Sequence, residues 1–358
     1  MLDIIHGLKS HGMNSWNMIS MIEWLSVIAI ALLSLILTSL LRKYALAKSL
    51  IDLPNARSSH SIPTPRGGGV SIVIAFLLAI SMLAWAGQVS IATLVAIVGS
   101  AGLVALIGFM DDHGHIAARW RLLGHFVAAG WALAWLGGLA PLNILGWTFA
   151  PGLIGQILAA FYLVWMLNLY NFMDGIDGIA SVEAVTVCAG MSLIYVLAGF
   201  AGLAWSPLLL AAAVAGFLYW NFPPARIFMG DAGSGFLGLV LGVLSVQASW
   251  ASSQLFWSWL ILLGVFIVDA TVTLGRRLMR GERVYEAHRS HAYQFASRRY
   301  GKHWPVTLAV GLINLVWLLP VAMWVALKGG DGLIWTTIAY IPLVLLALRF
   351  SAGGAERM

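Results

Sequence analysis

Long, uninterrupted apolar runs are the feature that most constrains how this chain can fold. A helix that crosses the hydrocarbon core of a bilayer needs about 20 apolar residues, and runs of that kind fill most of the sequence. Of the 358 residues, 61% are hydrophobic and 9% are charged, whereas soluble domains carry about 25% charged residues. Strands of a membrane barrel alternate apolar and polar residues, but these runs are continuous. We therefore predict an all-α, polytopic integral membrane protein.

About eleven transmembrane helices are predicted, in a single membrane-embedded domain over residues 1–358. The spans lie near residues 20–41, 69–87, 90–110, 122–140, 152–170, 180–200, 203–220, 233–250, 254–275, 305–327 and 332–350. A linker with proline and glycine, Pro141 to Gly152, separates the fourth span from the fifth. Residues 1–20 are mildly polar and run into the first span, so no cleavable signal peptide is expected.

The basic residues predict the orientation of the spans. If eleven spans alternate, all of the 20 lysines and arginines except Lys9 and Lys328 fall on one side. Basic residues are enriched in cytoplasmic loops, which places the C-terminus in the cytoplasm and the N-terminus in the periplasm. This bias also accounts for the net charge of +6, so no nucleic-acid partner is expected.

The carboxylates cluster on the same side as the basic residues. Those in or beside the predicted cytoplasmic loops are Asp52, Asp111, Asp112, Asp174, Asp177 and Asp231. Acidic residues contribute little to orientation, so their position requires a ligand such as a cation. The loops predicted to form the active site are 42–68, 111–121, 171–180, 221–232 and 276–304.

Asp111 and Asp112 are adjacent carboxylates at the end of the third predicted span. The C-terminus of a helix disfavours negative charge, and two neighbouring carboxylates repel each other unless a cation or base neutralises them. Arg119 and Arg121 follow shortly afterwards and provide guanidinium groups that suit phosphate. The alternative is a solvated helix end without a ligand.

A second acidic block, residues 168–178, ends the fifth predicted span. Asn171, Asp174 and Asp177 are spaced three apart and would share one face of a helical turn. Gly175 allows the backbone to approach a ligand closely. An EF-hand calcium loop is excluded because it needs a longer run of oxygen ligands that ends in glutamate. A structural polar turn is the alternative.

The eighth predicted span is entered through residues 221–235, with Asp231 at its mouth. Mg²⁺ is usually held by one or two protein carboxylates together with substrate phosphates, and Asp231 suits that role. Phe228 could stack on a base. The glycine and serine spacing of this segment, taken alone, is more typical of close helix packing in membranes.

The loop after the ninth predicted span carries His288, Arg289 and His291. A zinc site would need a third or fourth ligand at suitable spacing, and none follows. A phosphate-facing cluster fits better, and contact with anionic lipid headgroups is compatible with it.

The first predicted loop, 42–68, ends in glycines that precede a helix. Such a helix N-terminus suits an anion; alternatively, the loop only sets the orientation of the spans. Asp269, within the ninth predicted span, must face the protein interior, and we expect it to have a structural partner.

In this order, the blocks closely resemble the polyprenyl-phosphate N-acetylhexosamine-1-phosphate transferases, glycosyltransferase family 4. The resemblance covers roughly residues 40–300. It depends most on Asp111-Asp112, on Asn171-Phe-Met-Asp174-Gly-Ile-Asp177-Gly and on Phe228-Met-Gly-Asp231-Ala-Gly-Ser. It implies an enzyme of the bacterial inner membrane with its active site facing the cytoplasm.

The resemblance also implies roles for site residues. Asp231 and Asn171 would hold Mg²⁺, with Mn²⁺ as an alternative ion. The implied substrate-binding residues are Asn168, Asp174, Gly175, Asp177 and Phe228, of which Gly175, Asp177 and Phe228 would form a uracil pocket. The implied catalytic residues are Asp111, Asp112, Arg119, Arg121, His288, Arg289 and His291. Of these, Asp111 and Asp112 would lie at the lipid phosphate, with one of them a candidate to remove its proton.

The implied reaction transfers an N-acetylhexosamine 1-phosphate from a UDP-sugar to undecaprenyl phosphate and releases UMP. A covalent aspartyl-phosphate route is less favoured but remains open. This chain differs from the family's histidine-rich motif, since it has Tyr293 and Gln294 at positions where the family often has histidines. The departure disfavours a muramyl-pentapeptide donor and resembles enzymes that initiate O-antigen or other surface glycans, whose donors include 6-deoxy sugars.

The sequence favours an enzyme over two other function classes. A secondary transporter predicts ionisable residues near the middle of the membrane and internal repeats, whereas the acids lie at one face and no repeat of the blocks is visible. A non-catalytic protein that binds polyprenyl lipid explains the basic loops but not the aspartates in glycine-rich segments. Membrane lipids are expected as partners, and a homodimer is left open.

Overall fold

The computed structural model describes residues 15–54, 59, 62–114, 116–282 and 288–355, without the side chains of 15–22. Its α-helices are α1 (Ser15–Ala47), α2 (Val70–Trp85), α3 (Ile91–His113), α4 (Ala118–Leu136), α5 (Gly152–Met173), α6 (Ile179–Leu197), α7 (Trp205–Asn221), α8 (Asp231–Ala251), α9 (Ser253–Leu262), α10 (Gly264–Met279), α11 (Ala292–Tyr300), α12 (Trp304–Ile313), α13 (Leu319–Lys328) and α14 (Gly332–Arg349). A π-helical segment, Asn314–Leu318, joins α12 to α13, and a 3₁₀ turn, Ala201–Leu203, precedes α7.

Two small antiparallel ribbons accompany the helices. Strands β1 (Ile51–Asp52) and β2 (Thr64–Pro65) pair within the first predicted loop, with Asp52 opposite Thr64. Strands β3 (Leu142–Ile144) and β4 (Trp147–Phe149) form a hairpin in the linker before α5. The ribbons were not predicted. The many helices described above support the predicted helical, polytopic fold class.

Each predicted span overlaps a helix or a pair of joined helices. Within the described residues, eight helices are long and apolar enough to cross a membrane. The pair α9 and α10 would add a ninth crossing, although it bends by 68°. Helix α2 has only 16 residues, and α4 carries Arg119 and Arg121 in its first turn. The count of eleven crossings, like the orientation of the termini, stays a prediction.

Helix α8 is the most deeply buried of the candidate spans, and it packs between α3 and α5. Its glycines permit this approach: a β-carbon on Gly242 would lie 2.9 Å from the Leu163 side chain of α5. A β-carbon on Gly235 would lie 3.2 Å from Val104 of α3. The small residues therefore serve close helix packing, and this packing holds the N-terminus of α8 against the ends of α3 and α5.

Candidate active site

Asp112 is buried at the end of α3 and lies against the N-terminus of α8. Its Oδ1 is 3.4 Å from the backbone nitrogen of Asp231, and its Oδ2 is 3.4 Å from that of Ala232. The exposed N–H groups of a helix N-terminus favour a carboxylate, which offsets the unfavourable end of α3. A β-carbon on Gly230, between the two elements, would lie 2.7 Å from Asp112 Oδ2. Asp112 is thus a structural cap as well as a site residue.

Arg121 joins two of the predicted carboxylates. Its Nη1 donates a hydrogen bond to Asp111 Oδ2 and lies 3.3 Å from Asp231 Oδ2. The other Asp111 oxygen accepts from the backbone nitrogen of Ile116 at 2.8 Å. The end of α3, the start of α4 and the start of α8 therefore meet through one guanidinium group.

Arg119 does not join this cluster. Its side chain is exposed, and its guanidinium lies 5.6 Å from the ring centroid of Trp120. Residues two apart on a helix point in widely different directions, so Arg119 and Arg121 of α4 cannot face one site together. Arg119 lines neither of the two cavities described below, and its contact with the phosphate stays a prediction.

The segment after α5 brings its acids to the same place by a turn. Helix α5 ends at Met173, and Asp174 is its C-cap. Burial raises the pKa of Asp174 well above its ordinary value, and the charges of Asp231, Asp177 and Asp112 act in the same direction. Such mutual repulsion favours either a proton or a cation at this cluster.

A polar cavity of 230 Å³, here called cavity 1, is lined by five aspartates and Asn171. The aspartates are Asp52, Asp112, Asp174, Asp177 and Asp231. Phe228 also lines it and is held in place because its backbone nitrogen donates to the Pro65 carbonyl at 2.8 Å. The ends of α3 and α5, the start of α8 and the first loop therefore enclose one acidic space.

A second cavity of 330 Å³, here called cavity 2, has a polar part and an apolar part. The polar part includes Arg121, His125, His288 and His291, and the apolar part includes Val104, Ile107, Leu167 and Phe172. Asn168 lines cavity 2 and not cavity 1, with its Nδ2 donating to the Val164 carbonyl at 2.7 Å. The residues that line both cavities are Asn171, Gly175, Asp231 and Gln294. The two spaces therefore share a wall.

Asp269 holds the segment that carries His288, Arg289 and His291 in place through hydrogen bonds. Its Oδ1 accepts from the backbone nitrogen of Ala292 at 2.9 Å, and its Oδ2 accepts from that of Tyr293 at 3.0 Å. His291 Nδ1 lies 3.3 Å from Asp269 Oδ1. The carboxylate therefore caps α11 and orients His291, whose Nε2 is buried without a hydrogen-bond partner among the described residues. The expected structural partner of Asp269 is this helix N-terminus.

His288 and Arg289 differ in their placement. The His288 ring stacks on His291 with centroids 4.9 Å apart. Burial lowers the pKa of His288 to about 3, and the charges of His291 and Arg277 act in the same direction. His288 is therefore neutral near pH 7. Arg289 lines neither cavity, and its carbonyl accepts from Arg298 Nη2 at 3.0 Å, so the structure does not place it among the site residues.

Comparison with known proteins gives the family of this arrangement. Residues 93–249 match the family described as glycosyl transferase family 4. A decaprenyl-phosphate N-acetylglucosaminephosphotransferase of Mycolicibacterium smegmatis is 31% identical over 271 residues, which cover 68% of this chain and 67% of that protein. The chain belongs to glycosyl transferase family 4. It is an enzyme, a phosphoglycosyl transferase.

Two further relatives extend over more of the transferase. A probable undecaprenyl-phosphate N-acetylglucosaminyl 1-phosphate transferase of Bacillus subtilis is 28% identical over 328 residues, 89% of this chain and 88% of its own length. An undecaprenyl-phosphate alpha-N-acetylglucosaminyl 1-phosphate transferase of Thermotoga maritima is 28% identical over 305 residues, 81% of this chain and 87% of its own length. The predicted resemblance is confirmed, and the transporter and non-catalytic alternatives are not supported.

The transferase also carries site residues that the sequence analysis missed. His303 lines cavity 1, and His125 lines cavity 2. Asn221 ties the site together, since its Oδ1 accepts from the Gly178 nitrogen at 3.1 Å and its Nδ2 donates to the Ile227 carbonyl at 3.1 Å. None of these residues was given a role, although Asn221 and His303 lie within the predicted site loops 221–232 and 276–304 and His125 follows Arg121 by one turn on α4. Parts of the predicted site loops (55–58, 60–61, 115 and 283–287) lie outside the described residues.

Replacing Gly175 with alanine is expected to lower the turnover number by at least about tenfold. A β-carbon there would overlap the Tyr293 hydroxyl and lie 3.2 Å from Gln294 Nε2, so the wall between the cavities must shift. A displacement of about 1 Å in an active site can cost about a hundredfold in rate. Initial rates measure the effect, and Gly102→Ala of α3, where a β-carbon meets nothing within 4 Å, is the control. Equal rates for both variants would show that this wall is not part of the reaction path.

Proposed function

We propose that this transferase moves an N-acetylhexosamine 1-phosphate from a UDP-sugar to undecaprenyl phosphate and releases UMP. The observation that carries the proposal is the wall shared by an acidic and an amphipathic cavity. Two phosphorylated reactants, one polar and one lipid-linked, need such a pair of adjoining spaces. The relatives are named as transferases that use undecaprenyl or decaprenyl phosphate and N-acetylglucosamine, which supports the same reaction.

Cavity 1 is the proposed site of the UDP-sugar. Its glycine-rich segments bring backbone close to the ligand, and Phe228 offers a ring on which a base can stack. Asp177 and Gly175 line the same space, which supports the uracil pocket that the resemblance implies. The five aspartates that line the space outnumber Arg66 and His303 and would repel a diphosphate, so we propose that a cation accompanies the donor.

The residues of cavity 1 fit a magnesium ion. Within the described residues, no three His, Cys, Asp or Glu side chains are grouped to hold a metal ion. Mg²⁺ commonly takes one or two protein oxygens and completes its shell with water and substrate phosphate. Asp231 and Asn171 line both cavities and would supply those oxygens, with Mn²⁺ as an alternative ion. The ion would neutralise charge on the diphosphate as the bond to UMP breaks.

Cavity 2 is the proposed site of the polyprenyl phosphate. Arg121 and His291 line its polar part and offer donors to a phosphate, and the apolar part suits the first isoprene units of the tail. Asp111 accepts a hydrogen bond from Arg121 Nη1, which orients the guanidinium before the lipid arrives. A phosphate that binds here would reach the shared wall at Asp231.

In the proposed reaction, an oxygen of the lipid phosphate attacks the phosphorus that carries the sugar. A new phosphorus–oxygen bond forms, the bond to the bridging oxygen breaks, and that oxygen leaves with UMP. If the lipid phosphate arrives as a monoanion, we propose that Asp112 accepts its proton, since Asp112 lines cavity 1 and its Oδ1 accepts from the backbone nitrogen of Asp231 at the shared wall. Asp111 is less suited to this role because it lines neither cavity and is paired with Arg121. Catalysis of this kind depends on positioning and charge neutralisation, which the carboxylates and Arg121 supply.

The orientation and pathway form part of the same proposal. The positive-inside bias supports an inner-membrane enzyme of eleven spans with a periplasmic N-terminus, a cytoplasmic C-terminus and a site facing the cytoplasm. The presence of Tyr293 and Gln294 in place of the family's histidines favours a donor that carries an N-acetylated hexosamine or its 6-deoxy derivative. The product would initiate a lipid-linked surface glycan such as O-antigen.

A donor panel tests the proposal. Purified transferase is incubated with undecaprenyl phosphate, Mg²⁺ and UDP-linked GlcNAc, FucNAc, QuiNAc or MurNAc-pentapeptide, and nucleotide and lipid products are separated. We expect at least one N-acetylhexosamine donor to yield lipid product with equimolar UMP, and no product with the pentapeptide donor. Transfer from the pentapeptide donor alone would overturn the donor assignment.

A further inference from the structure

His303 forms a bridge between two segments that surround cavity 1. It precedes α12, and its Nδ1 lies 3.1 Å from Asp177 Oδ1. On the other side of the ring, Nε2 lies 3.1 Å from the backbone carbonyl of Ser59, in the first loop. Three parts of the chain that are distant in sequence therefore meet at one imidazole, which itself lines cavity 1.

The two contacts specify the protonation state of the ring. A carboxylate and a carbonyl both accept hydrogen bonds, whereas a neutral imidazole has only one N–H to donate. Both contacts are satisfied only if each ring nitrogen of His303 carries a proton. The backbone nitrogen of Asp177 donates toward Nδ1 at the longer distance of 3.4 Å, a contact that a neutral ring would accept. An imidazolium satisfies the two shorter contacts, to the Asp177 carboxylate and to the Ser59 carbonyl.

The surrounding charges agree with this state. Burial lowers the pKa of His303, but the hydrogen bond and the charge of Asp177, together with the Ser59 carbonyl, outweigh burial and raise that pKa above its ordinary value. Among the described residues, the other charged side chains around this ring are Lys302, exposed on the same segment, and those that line cavity 1 with it, namely Asp52, Arg66, Asp112, Asp174 and Asp231. Asp177 is the anion in contact with the ring.

Asp177 is held on both of its carboxylate oxygens. Oδ1 faces His303, and Oδ2 accepts from the backbone nitrogen of Ala225 at 3.0 Å. Thr307 of α12 donates to the Asp177 carbonyl at 2.7 Å. A carboxylate has about four lone-pair sites, so these bonds orient the group and leave acceptor capacity for a ligand in cavity 1.

We propose that His303, as an imidazolium that donates from both ring nitrogens, is a positioning residue that fastens the first loop to Asp177 and completes the nucleotide end of cavity 1. The proposal rests on the proposed function, because it assigns the Asp177 end of the cavity to the nucleotide of the donor. The binding of the donor should therefore depend on His303, whereas the binding of the lipid should not.

The sign of the pH dependence follows from the raised pKa. The bridge is complete at a pH below that pKa and is lost as the pH rises through it. The Michaelis constant for the UDP-sugar, and the inhibition constant of UMP, should then rise with pH while the constant for the lipid stays level. His303→Gln keeps at most part of the bridge, so its donor constant should be about tenfold higher at pH 6.5 and nearly independent of pH.

The test combines steady-state kinetics with nitrogen NMR on the full chain in detergent micelles. Michaelis constants for donor and lipid are measured from pH 6.5 to 9.5 for wild type, His303→Gln and the neighbouring control Lys302→Gln, which removes an exposed charge. We expect only His303→Gln to change the donor constant. In wild type labelled with ¹⁵N-histidine, one ring should show two protonated nitrogens at pH 7.5, and this signal should be absent from His303→Gln.

The outcomes separate this inference from the proposed function. If wild type transfers no UDP-sugar but the imidazolium signal is present, the proposed function fails and the bridge stands. If transfer proceeds and His303→Gln leaves the donor constant within twofold of wild type, the inference is overturned. Should His303→Gln fail to fold, Asp177→Asn serves instead: it must convert the His303 signal to a neutral imidazole at pH 7.5, and a persistent imidazolium would contradict the bridge.

Discussion

Replacing Asp231 with alanine is expected to reduce the rate of sugar-phosphate transfer by about a thousandfold. The Asp231 carboxylate lines both cavities and lies 3.3 Å from Arg121 Nη1, so it faces both reactants at the shared wall. In the proposed reaction it also supplies an oxygen to Mg²⁺. Removing one well-placed electrostatic group from an active site commonly costs about a hundredfold to a thousandfold. Initial rates at saturating donor and lipid measure the loss.

Asp331 provides a matched control for this substitution. It is also an aspartate at the start of a helix, where its Oδ1 accepts from the backbone nitrogen of Ile334 at 3.1 Å, but it lies in the predicted periplasmic part of the chain. Asp331→Asn keeps the cap and should leave the rate within about twofold. An Asp231→Ala enzyme with more than a tenth of the wild-type rate would remove Asp231 from the reaction.

Replacing Asp112 with alanine is expected to lower the transfer rate by at least about a hundredfold and also to destabilise the protein. The substitution leaves the backbone nitrogens of Asp231 and Ala232 without their carboxylate acceptor. The loss of a helix cap costs about 1 kcal/mol, and the position of Asp231 then becomes less defined. Rates are measured together with the thermal midpoint in detergent.

Asp112→Asn separates the cap from the charge. The asparagine oxygen still accepts from the N-terminus of α8, so the thermal midpoint should return to within about two degrees of wild type. The rate should remain low, because the negative charge beside cavity 1 is absent. Full recovery of the rate in Asp112→Asn would show that Asp112 acts only as a cap and has no role in the chemistry.

Much of the helical framework could be predicted because apolar length alone defines a span. The bend between α9 and α10 was not predicted, since residues 254–275 form one apolar run without proline. The end of α5 was predicted to present Asn171, Asp174 and Asp177 on one helical face. They do line one cavity, but the helix ends at Met173 and a turn brings the two aspartates there.

The site was predictable where its residues fall in spaced blocks and not where distant segments meet. Asp111 and Arg121 belong to one predicted loop and Asp231 to another, and their meeting with Asp231 depends on the packing of α8 between α3 and α5. The helical angle between Arg119 and Arg121 already implied that only one could face the site. His303 lies 126 positions after Asp177, and no local pattern connects the two.

Donor labelled with ³²P at the sugar-bearing phosphorus tests the central claim most directly. Purified enzyme receives this UDP-N-acetylhexosamine, undecaprenyl phosphate and Mg²⁺, and the label is followed into lipid and nucleotide fractions. A transfer of sugar together with its phosphate predicts that the label moves into the lipid and that unlabelled UMP is released. Label that stays with the nucleotide as UDP, while sugar enters the lipid, would contradict the account.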